Sequence, residues 1–389
     1  MRDAGDVRGK RVLLREDLNV PMKDGVVGDE TRITATLETL RWLHDRGAKT
    51  IVLSHLGRPD GKPDPKYSLR PVGARLGERL GLPVTFVDDC IGAAAVAASH
   101  AVPDGGFVLF ENVRFHAEEE ANDPAFAREL AKSGDLYVND AFGTAHRAHA
   151  STVGVASDLP AYAGLLMEAE LAALTKLTVN PVKPFVCAIG GAKVADKVGV
   201  FENLLARVDA FVIGGGMANT FLAAQGIDVG KSLRDPDLSP ATSIVAKAKA
   251  QNVALHLPTD AVVADSFGAD DTAQTVALAD VGARMILDIG PDSAQAYAAV
   301  LRGAKTIVFN GPMGVYEKAP YQNGTRTVGR AIAEATRAGA TSVVGGGDAA
   351  AAAHELGFAD AMTHVSTGGG ATLEFLEGKT LPGVAALEN

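Results

Sequence analysis

Short apolar runs alternate with helical patterns along the whole chain, and this alternation restricts the possible folds more than any other feature. The runs of the first half that predict buried strands are Val12–Leu14, Thr50–Leu53, Val84–Val87, Phe107–Phe110 and Leu136–Val138. Helical patterns separate them; the first has its apolar face on Ile33, Leu37, Leu40 and Leu43. Strands that alternate with helices predict right-handed crossovers and a parallel sheet covered by helices.

The length of the chain predicts more than one domain. A chain of 389 residues is long enough for two or three domains of about 150 residues each. One helical pattern runs from Gly164 to Leu177, and Asn180-Pro181 ends it. We therefore predict an α/β protein with two Rossmann-like domains, each a parallel sheet flanked by helices. The predicted boundaries are 1–165 for the first domain, 166–178 for a connector helix and 179–369 for the second domain.

Polar and basic side chains follow the strands of the first half. Those that follow strand ends are Asp17, Asn19, His55, Arg58, Arg114 and Arg147, and Arg32 lies at the start of the first helix. In parallel sheets, ligands bind outside the carboxyl ends of the strands. Any one of these arginines could be an ordinary surface residue. Four of them at one edge predict a site for a small, multiply charged anion, because Arg binds carboxylate or phosphate with two parallel hydrogen bonds.

The strands of the second half end in runs of glycine. These runs are Gly190-Gly191, Gly214–Gly216, Gly345–Gly347 and Gly368–Gly370. Successive glycines remove side chains from a whole sheet edge, so a flat ring and a chain of phosphates can lie against the backbone. Asp348 follows the third run, and a single carboxylate of this kind suits Mg²⁺, which takes one or two carboxylates together with phosphate oxygens.

The stretch Pro184–Val200 combines an apolar strand, a glycine turn and two lysines. Lys193 and Lys197 are four residues apart, so on a helix they would share one face. A helix N-terminus with two lysines suits a phosphate. An ordinary strand-to-helix turn with two solvated lysines fits the stretch equally well when it is considered alone.

Composition excludes several classes of protein. The formal charge of -10 argues against a partner nucleic acid, because affinity for its backbone comes mainly from Lys and Arg. Only Cys90 and Cys187 are present, which predicts a reducing compartment rather than a disulfide framework. Residues 1–17 lack the apolar region of a signal peptide, and no apolar run reaches the roughly 18 residues of a membrane span. We expect a cytoplasmic protein without a membrane partner.

The motifs of several familiar enzyme classes are missing. Gly214-x-Gly216 lacks the third glycine of a dinucleotide-binding turn, and no Gly-x-x-x-x-Gly-Lys-Ser/Thr string occurs. The protein-kinase motifs and the nucleophile elbow are absent. His146 and His149 are close together but lie beside Arg147, which would repel a cation. The pattern that remains indicates phosphoryl transfer between a nucleotide and a small acid; a carboxylate acceptor is already ionised and needs no general base.

Seven long motifs, in order along the chain, carry a resemblance to a known family. They are Asp17–Pro21, Ser54–Pro59, Glu111–Phe115, Ala141–Arg147, Gly190–Val194, Gly214–Ala218 and Asn310–Gly314. On these motifs the chain resembles the phosphoglycerate kinase family over essentially its full length, from Gly9–Val12 to Leu373–Gly378.

The resemblance implies a glycolytic enzyme that transfers a phosphoryl group reversibly between 1,3-bisphosphoglycerate and ADP, giving 3-phosphoglycerate and ATP. It implies domain closure without a covalent intermediate, a cytoplasmic monomer, and a segment from about 370 to 389 that returns to the first domain. A non-catalytic nucleotide-binding protein derived from the same fold is the alternative.

The resemblance also implies roles for individual residues. Those implied for 3-phosphoglycerate are Asp17, Asn19, Arg32, His55, Arg58, Arg114 and Arg147. Those implied for the nucleotide are Lys193, Lys197, Gly214, Gly215, Gly290, Asn310, Glu317, Gly345, Gly346, Gly347, Asp348 and Ala349. Those implied for catalysis are Arg32, Lys197, Gly346 and Gly369, and Asp348 is implied for Mg²⁺. Ala349 departs from the family pattern, which usually has Ser or Thr there, so one hydroxyl near the phosphates is missing.

Overall fold

The computed structural model describes residues 1–388, which form two compact units. The first unit is Met1–Leu171 together with the segment that begins at Thr380, and the second is Ala172–Lys379. The strands are β1 Arg11–Arg15, β2 Met22–Lys23, β3 Val26–Val27, β4 Lys49–Leu53, β5 Val84–Val87, β6 Phe107–Phe110, β7 Leu136–Asn139, β8 Ala161–Ala163, β9 Phe185–Ile189, β10 Ala210–Ile213, β11 Ala254–His256, β12 Asp260–Ala264, β13 Gln274–Ala277, β14 Met285–Ile289, β15 Thr306–Asn310, β16 Thr341–Val344 and β17 His364–Val365.

Helices follow most of these strands. The helices are α1 Thr31–Asp45, α2 Arg70–Leu80, α3 Gly92–Ala101, α4 Ala117–Glu120, α5 Pro124–Ala131, α6 Leu165–Thr178, α7 Val198–Leu205, α8 Gly215–Ala224, α9 Ser239–Ala250, α10 Pro291–Arg302, α11 Asn323–Arg337, α12 Gly347–Glu355, α13 Gly370–Leu376 and α14 Pro382–Ala385. Within residues 1–388, no helix is long and apolar enough to cross a membrane.

The sheet of the first unit is parallel throughout, in the order β5-β6-β4-β1-β7-β8. Its central strands are apolar on both faces because helices cover both. Along β1, Val12 and Leu14 belong to one core cluster and Leu13 to the other. Such strands appear in sequence as continuous apolar runs rather than as alternating ones.

The second unit repeats this plan. Its parallel sheet has the order β11-β10-β9-β15-β16-β17. Strand order reverses between β9 and β15, just as it reverses between β1 and β7 in the first unit. These reversals are the points at which open parallel sheets bind ligands. The prediction of two parallel sheets flanked by helices is confirmed.

Two antiparallel additions lie outside that prediction. One is the hairpin β2–β3, and the other is a small sheet in the order β13-β12-β14 in the second unit. The small sheet packs against the helices α8 and α10. It forms one wall of the cavity described below.

The segment that returns to the first unit begins at Thr380 rather than near residue 370. Helix α13 packs on α7 of the second unit, where Asn203 Nδ2 donates to the Leu376 carbonyl oxygen (2.8 Å). After Thr380, the Gly383 N–H donates to the Ala145 carbonyl oxygen (2.8 Å) in the first unit. Helix α6 spans the division between the units at Leu171.

Candidate active site

The polar residues predicted for the first unit converge on four neighbouring strands. Strands β6, β4, β1 and β7 are adjacent in the sheet, and the predicted residues follow their carboxyl ends. We call the set Asp17, Asn19, Arg32, His55, Arg58, Arg114 and Arg147 the basic edge. Parallel order places all four strand ends on one side of the sheet, as the sequence predicted.

Hydrogen bonds link the basic edge across these strands. Asn19 Oδ1 accepts from the Gly57 N–H (2.8 Å), and Arg114 Nη1 donates to the Gly57 carbonyl oxygen (2.8 Å). Arg32 Nη1 lies 3.4 Å from Asp17 Oδ1 and also donates to the Asn19 carbonyl oxygen. The turn after β4 therefore joins the turns after β1 and β6 into one surface.

A buried arginine that the sequence analysis missed lies beneath this surface. Arg15 has no exposed surface; its Nε donates to Ser151 Oγ (2.8 Å) and its Nη2 to His55 Nδ1 (3.1 Å). That second bond leaves the proton of a neutral His55 on Nε2. The signal for Arg15 is its place as the last residue of an otherwise apolar strand.

His55 of the basic edge and the buried His149, which is outside that set, are both held neutral. Burial lowers the pKa of His55 well below its usual value, and the positive charges of Arg15, Arg114 and Arg32 lower it further. Burial also lowers the pKa of His149 to about 4, with Arg114 the next cause. The arginines supply enough positive charge to disfavour protonation of both histidines, and such an excess of positive charge indicates a site for an anion.

Arg114 and the two outer arginines complete the edge. Arg114 is 6% exposed, and its Nε makes no hydrogen bond, although Glu120 Oε1 lies 3.4 Å away. Arg147 is half-buried, and its Nε lies 3.3 Å from His146 Nε2. Arg58 is exposed in the turn next to Gly57. A buried guanidinium N–H without a partner is costly unless a ligand supplies the acceptor.

The second unit contains a cavity of about 660 Å³, which is within the usual range for small-molecule sites. The predicted residues Gly215, Glu317 and Asp348 line it, together with Gly191 and Gly216. Gly215 has a φ of 66°, and a Cβ there would lie 2.6 Å from the Gly191 carbonyl oxygen. We call this the glycine-lined cavity.

Lys197 lies where the strand order of the second sheet reverses. Its Nζ donates to the carbonyl oxygens of Gly190 (2.8 Å) and Asn310 (2.7 Å), which follow β9 and end β15. Burial lowers the pKa of Lys197 to about 8, although the negative charge of Asp348 opposes the change. The ammonium is thus fixed by backbone and poorly solvated, which makes it a strong partner for an added negative charge.

The prediction that Lys193 and Lys197 share a helix face was wrong. Helix α7 begins only at Val198, after a single 3₁₀ turn over Ala195–Lys197, and Lys193 is exposed in the preceding loop. The loop is fixed by Asp235, whose Oδ2 accepts from the N–H groups of Val194 (2.8 Å) and Ala195 (3.1 Å). A carboxylate that is distant in sequence therefore holds this segment as a loop, although the spacing of the two lysines would fit a helix.

Some predicted glycines have packing reasons for being glycine. A Cβ on Gly214 would lie 2.6 Å from Met313, and one on Gly290 would lie 2.1 Å from the Asp260 carboxyl carbon. Neither glycine is among the residues that line the cavity. At both positions, the space that a side chain would need is already filled by another residue of the protein, Met313 or Asp260.

The other predicted glycines open the N-termini of two helices. Gly346 precedes α12 with a φ of 100°, and Gly369 precedes α13 with a φ of 49°. Asn310 Nδ2 donates to the Gly345 carbonyl oxygen (2.7 Å), and Gly347 is exposed at the first turn of α12. These helix starts present free backbone N–H groups to an anion.

Ala349 points away from the cavity. It is 1% exposed, and its methyl group belongs to the apolar core with Val328 and Ile332. A hydroxyl at this position would face that core, so only the backbone N–H of Ala349 is available to a ligand.

The apolar wall of the cavity was missed by the sequence analysis. It consists of Leu222, Leu233, Pro258, Ala261, Phe267, Leu278, Met285, Ile286, Leu287, Met313 and Val315. These residues come from β12, β14, α8 and loops that are far apart in sequence. Because tertiary packing assembles this wall, including Phe267, which is 61% exposed, a single sequence carries no signal for it.

The donors around Asp348 suit a hard cation. Asp348 is exposed in the first turn of α12 and lines the cavity. One carboxylate open to a space that can hold phosphates is the arrangement that Mg²⁺ prefers.

Two candidate anion sites, each at the carboxyl edge of its own parallel sheet, and one beside a cavity large enough for a nucleotide, are the arrangement expected of a nucleotide-dependent phosphotransferase. A sequence model of phosphoglycerate kinase matches residues 1–379. The phosphoglycerate kinase of Chloroflexus aurantiacus is 54% identical over 99% of this chain and 97% of that protein. The cytosolic phosphoglycerate kinase of Triticum aestivum is 53% identical over 98% and 96%. The structure of phosphoglycerate kinase from Coxiella burnetii aligns with a TM-score of 0.91 and 43% identity, covering 100% of this chain and 98% of that one. The chain belongs to the phosphoglycerate kinase family.

Proposed function

We propose that the basic edge binds 3-phosphoglycerate and that the glycine-lined cavity binds ADP or ATP, so that the enzyme transfers a phosphoryl group between 1,3-bisphosphoglycerate and ADP. The observation that carries this assignment is the division of charge between the two units. The basic edge has four arginines and the neutral His55, whereas the glycine-lined cavity has glycines, one fixed lysine beside it and an apolar wall. The first suits a small polyanion, and the second suits a ring with a chain of phosphates.

In the glycolytic direction, the acyl phosphate P–O bond of 1,3-bisphosphoglycerate breaks and a terminal ADP oxygen forms a new bond to phosphorus. The leaving group is a carboxylate, which needs no proton. In the reverse direction the carboxylate attacks and is already ionised. The protein therefore supplies position and charge stabilisation, not a general base or a covalent intermediate.

Within this proposal, Arg32 and Lys197 stabilise the charge of the transferring group. Arg32 is half-buried beside Asp17, and Lys197 is fixed beside the glycine-lined cavity. Gly346 and Gly369 add backbone N–H groups at helix starts. Preorganised donors of this kind contribute about 3–4 kcal/mol each in other enzymes.

We assign the nucleotide phosphates to Lys193, Lys197, Asn310 and the glycine runs, and the ribose hydroxyls to Glu317. Asp348 would hold Mg²⁺, which neutralises phosphate charge when it is bound. Ala349 contributes through its N–H alone, because its side chain is in the core. The Met1–Leu171 unit would act as the acid-binding domain and Ala172–Lys379 as the nucleotide-binding domain.

Closure of the two domains would join the sites and exclude water, which prevents hydrolysis of the acyl phosphate. Helix α6 and the segment 367–370 are the proposed hinges. We expect a monomer in the cytoplasm, where glycolysis supplies both substrates.

A coupled assay for ADP release tests the proposal. ATP consumption should depend on added 3-phosphoglycerate and on Mg²⁺, and it should be negligible with either left out. Nucleotide binding without acid-dependent turnover would instead support a non-catalytic nucleotide-binding protein with this fold.

A further inference from the structure

Asp89, Cys90 and His116 form a cluster of side chains of metal-binding type in the first unit; none of them belongs to the basic edge, and His116 lies two residues beyond Arg114. Asp89 and Cys90 follow β5, and His116 immediately precedes α4. One ligand atom from each residue lies within 4.8 Å of the other two, and no second group of three such residues occurs within residues 1–388.

Local contacts hold the three side chains in place. His116 Nε2 lies 2.8 Å from Asp89 Oδ1, which also accepts from the Cys90 N–H (2.7 Å). The His116 ring packs on Phe126 with 5.1 Å between ring centroids. The imidazole and carboxylate therefore already face each other, and the thiol comes from the adjacent residue.

Carboxylates surround the Cys90 thiol: the negative charges of Asp89, Glu119 and Glu111 all act on it. A metal ion that binds there deprotonates the thiol outright. The nearby cation Arg70 is paired with Asp88, which offsets its charge.

Two members of the cluster, Asp89 and His116, line a cavity of about 350 Å³ together with Asp88 and Ser68, among others, whereas Cys90 is 1% exposed and is not among the lining residues. Glu111 also lines the cavity, but its carboxylate oxygens accept from Ser68 Oγ (2.6 Å) and the Leu69 N–H (2.8 Å). Both carboxylate oxygens of Glu111 are therefore engaged by the segment that precedes α2. The cavity offers space for a water molecule on the side of Asp89 and His116.

We propose that Asp89, Cys90 and His116 bind one Zn²⁺ ion, with a water molecule as the fourth ligand. Thiolate, imidazole and carboxylate together are the donors that zinc takes in tetrahedral sites, at about 2.0–2.3 Å. Ligand atoms around such an ion lie about 3.3–3.8 Å apart, so the three side chains, whose ligand atoms lie within 4.8 Å of one another, rotate when the ion binds. The Cys90 proton passes to solvent when the ion binds.

Metal titration of the full-length protein tests this site. After removal of metals with a chelator, calorimetry should give one Zn²⁺ per chain. Co²⁺ in place of Zn²⁺ should show the thiolate-to-cobalt charge-transfer absorption of a tetrahedral site. His116→Gln should weaken Zn²⁺ binding at least about tenfold, and Cys90→Ser should remove the charge-transfer band.

Two control variants separate this site from other metal binders. Cys187→Ala removes the second buried thiol, and Asp348→Asn removes the carboxylate proposed for Mg²⁺; both should keep the Zn²⁺ affinity and the Co²⁺ band. His116 is only partly buried, so His116→Gln is expected to fold even if Cys90→Ser does not. The absence of stoichiometric binding, an unchanged affinity in His116→Gln, or loss of binding in Asp348→Asn would each overturn the proposal.

Discussion

At the scale of single residues, Lys197 shows how the fold makes an ordinary side chain reactive. Two backbone carbonyl oxygens hold its ammonium at the end of the central strands. Burial disfavours the charge, which lowers the pKa to about 8. The negative charge of a bound phosphate would stabilise the ammonium charge that burial disfavours, and the ammonium would stabilise the phosphate in return.

Lys197→Ala should lower kcat by about a hundredfold or more, because a preorganised cation is lost where charge develops in the transition state. Steady-state kinetics with both substrates measure the effect. Lys193→Ala is the matched comparison, and it should cost less than about tenfold because Lys193 is exposed and lies outside the helix. A rise in the nucleotide KM with unchanged kcat would assign Lys197 to ground-state binding instead.

The lowered pKa also predicts proton uptake when a nucleotide binds. At pH 8.5 the amine of Lys197 is largely neutral in the free protein, and added phosphate charge raises its pKa, so binding should take up part of one proton. Below pH 7 the amine is already charged, and uptake should vanish. Calorimetry of ATP binding in buffers with different ionisation enthalpies measures the proton count. Lys197→Met should abolish the uptake at pH 8.5, and uptake that persists in this variant would come from another group.

At the scale of elements, the start of α10 explains Gly290, which the family resemblance implied for the nucleotide. Asp260, at the start of β12, caps α10: its Oδ2 accepts from the Asp292 N–H (3.0 Å) and its Oδ1 from the Ser293 N–H (2.8 Å). Gly290 lies directly against this carboxylate. The residue is glycine because the cap of the helix occupies the space of a side chain.

Gly290→Ala should therefore destabilise the protein by about 1–3 kcal/mol, through overpacking and a displaced cap. Thermal unfolding measures this as a lower Tm. Gly303→Ala, at the other end of the same helix, is the control, because its Cβ would meet only the Val300 carbonyl oxygen at 3.5 Å. It should stay within about 0.5 kcal/mol of the parent. Equal Tm values for the two variants would argue against the packing role of Gly290.

At the scale of the whole molecule, each unit holds half of the proposed chemistry. The proposed acid site and the proposed nucleotide site belong to different sheets, and each lies where its own strand order reverses. Transfer of a phosphoryl group requires reacting atoms within about 3–3.5 Å of each other. Domain closure is the step by which the proposed mechanism meets this requirement.

Small-angle X-ray scattering should show a smaller radius of gyration when 3-phosphoglycerate and Mg-ADP are both present. This pair has no transferable phosphoryl group, so the complex persists during the measurement. Either ligand alone is the control and should produce less compaction, because each contacts only one domain. An unchanged radius with both ligands would count against closure.

Much of this plan could be predicted from the sequence. Apolar runs that alternate with helical patterns determine parallel sheets, since such strands must be covered on both faces. Arg32, His55 and Arg114 could be placed at one edge because parallel strands all end on the same side. These are rules of period and chain direction, which a single sequence contains.

Other features depended on contacts between residues far apart in the chain. The carboxylate of Asp235 binds the backbone after Lys193 and holds that lysine in a loop before the helix. Met313 occupies the space that a side chain at Gly214 would fill. The apolar wall of the cavity includes residues of the small antiparallel sheet. The return of the chain to the first unit begins where α13 stops packing on α7. The sequence by itself determined the sheet type and the edge residues, because both follow from local period and chain direction. Only the tertiary structure decided three other features: the carbonyl oxygens that hold Lys197, the carboxylate that packs against Gly290, and the short distance between Cys90 and His116. Each of them results from packing between residues far apart in the chain.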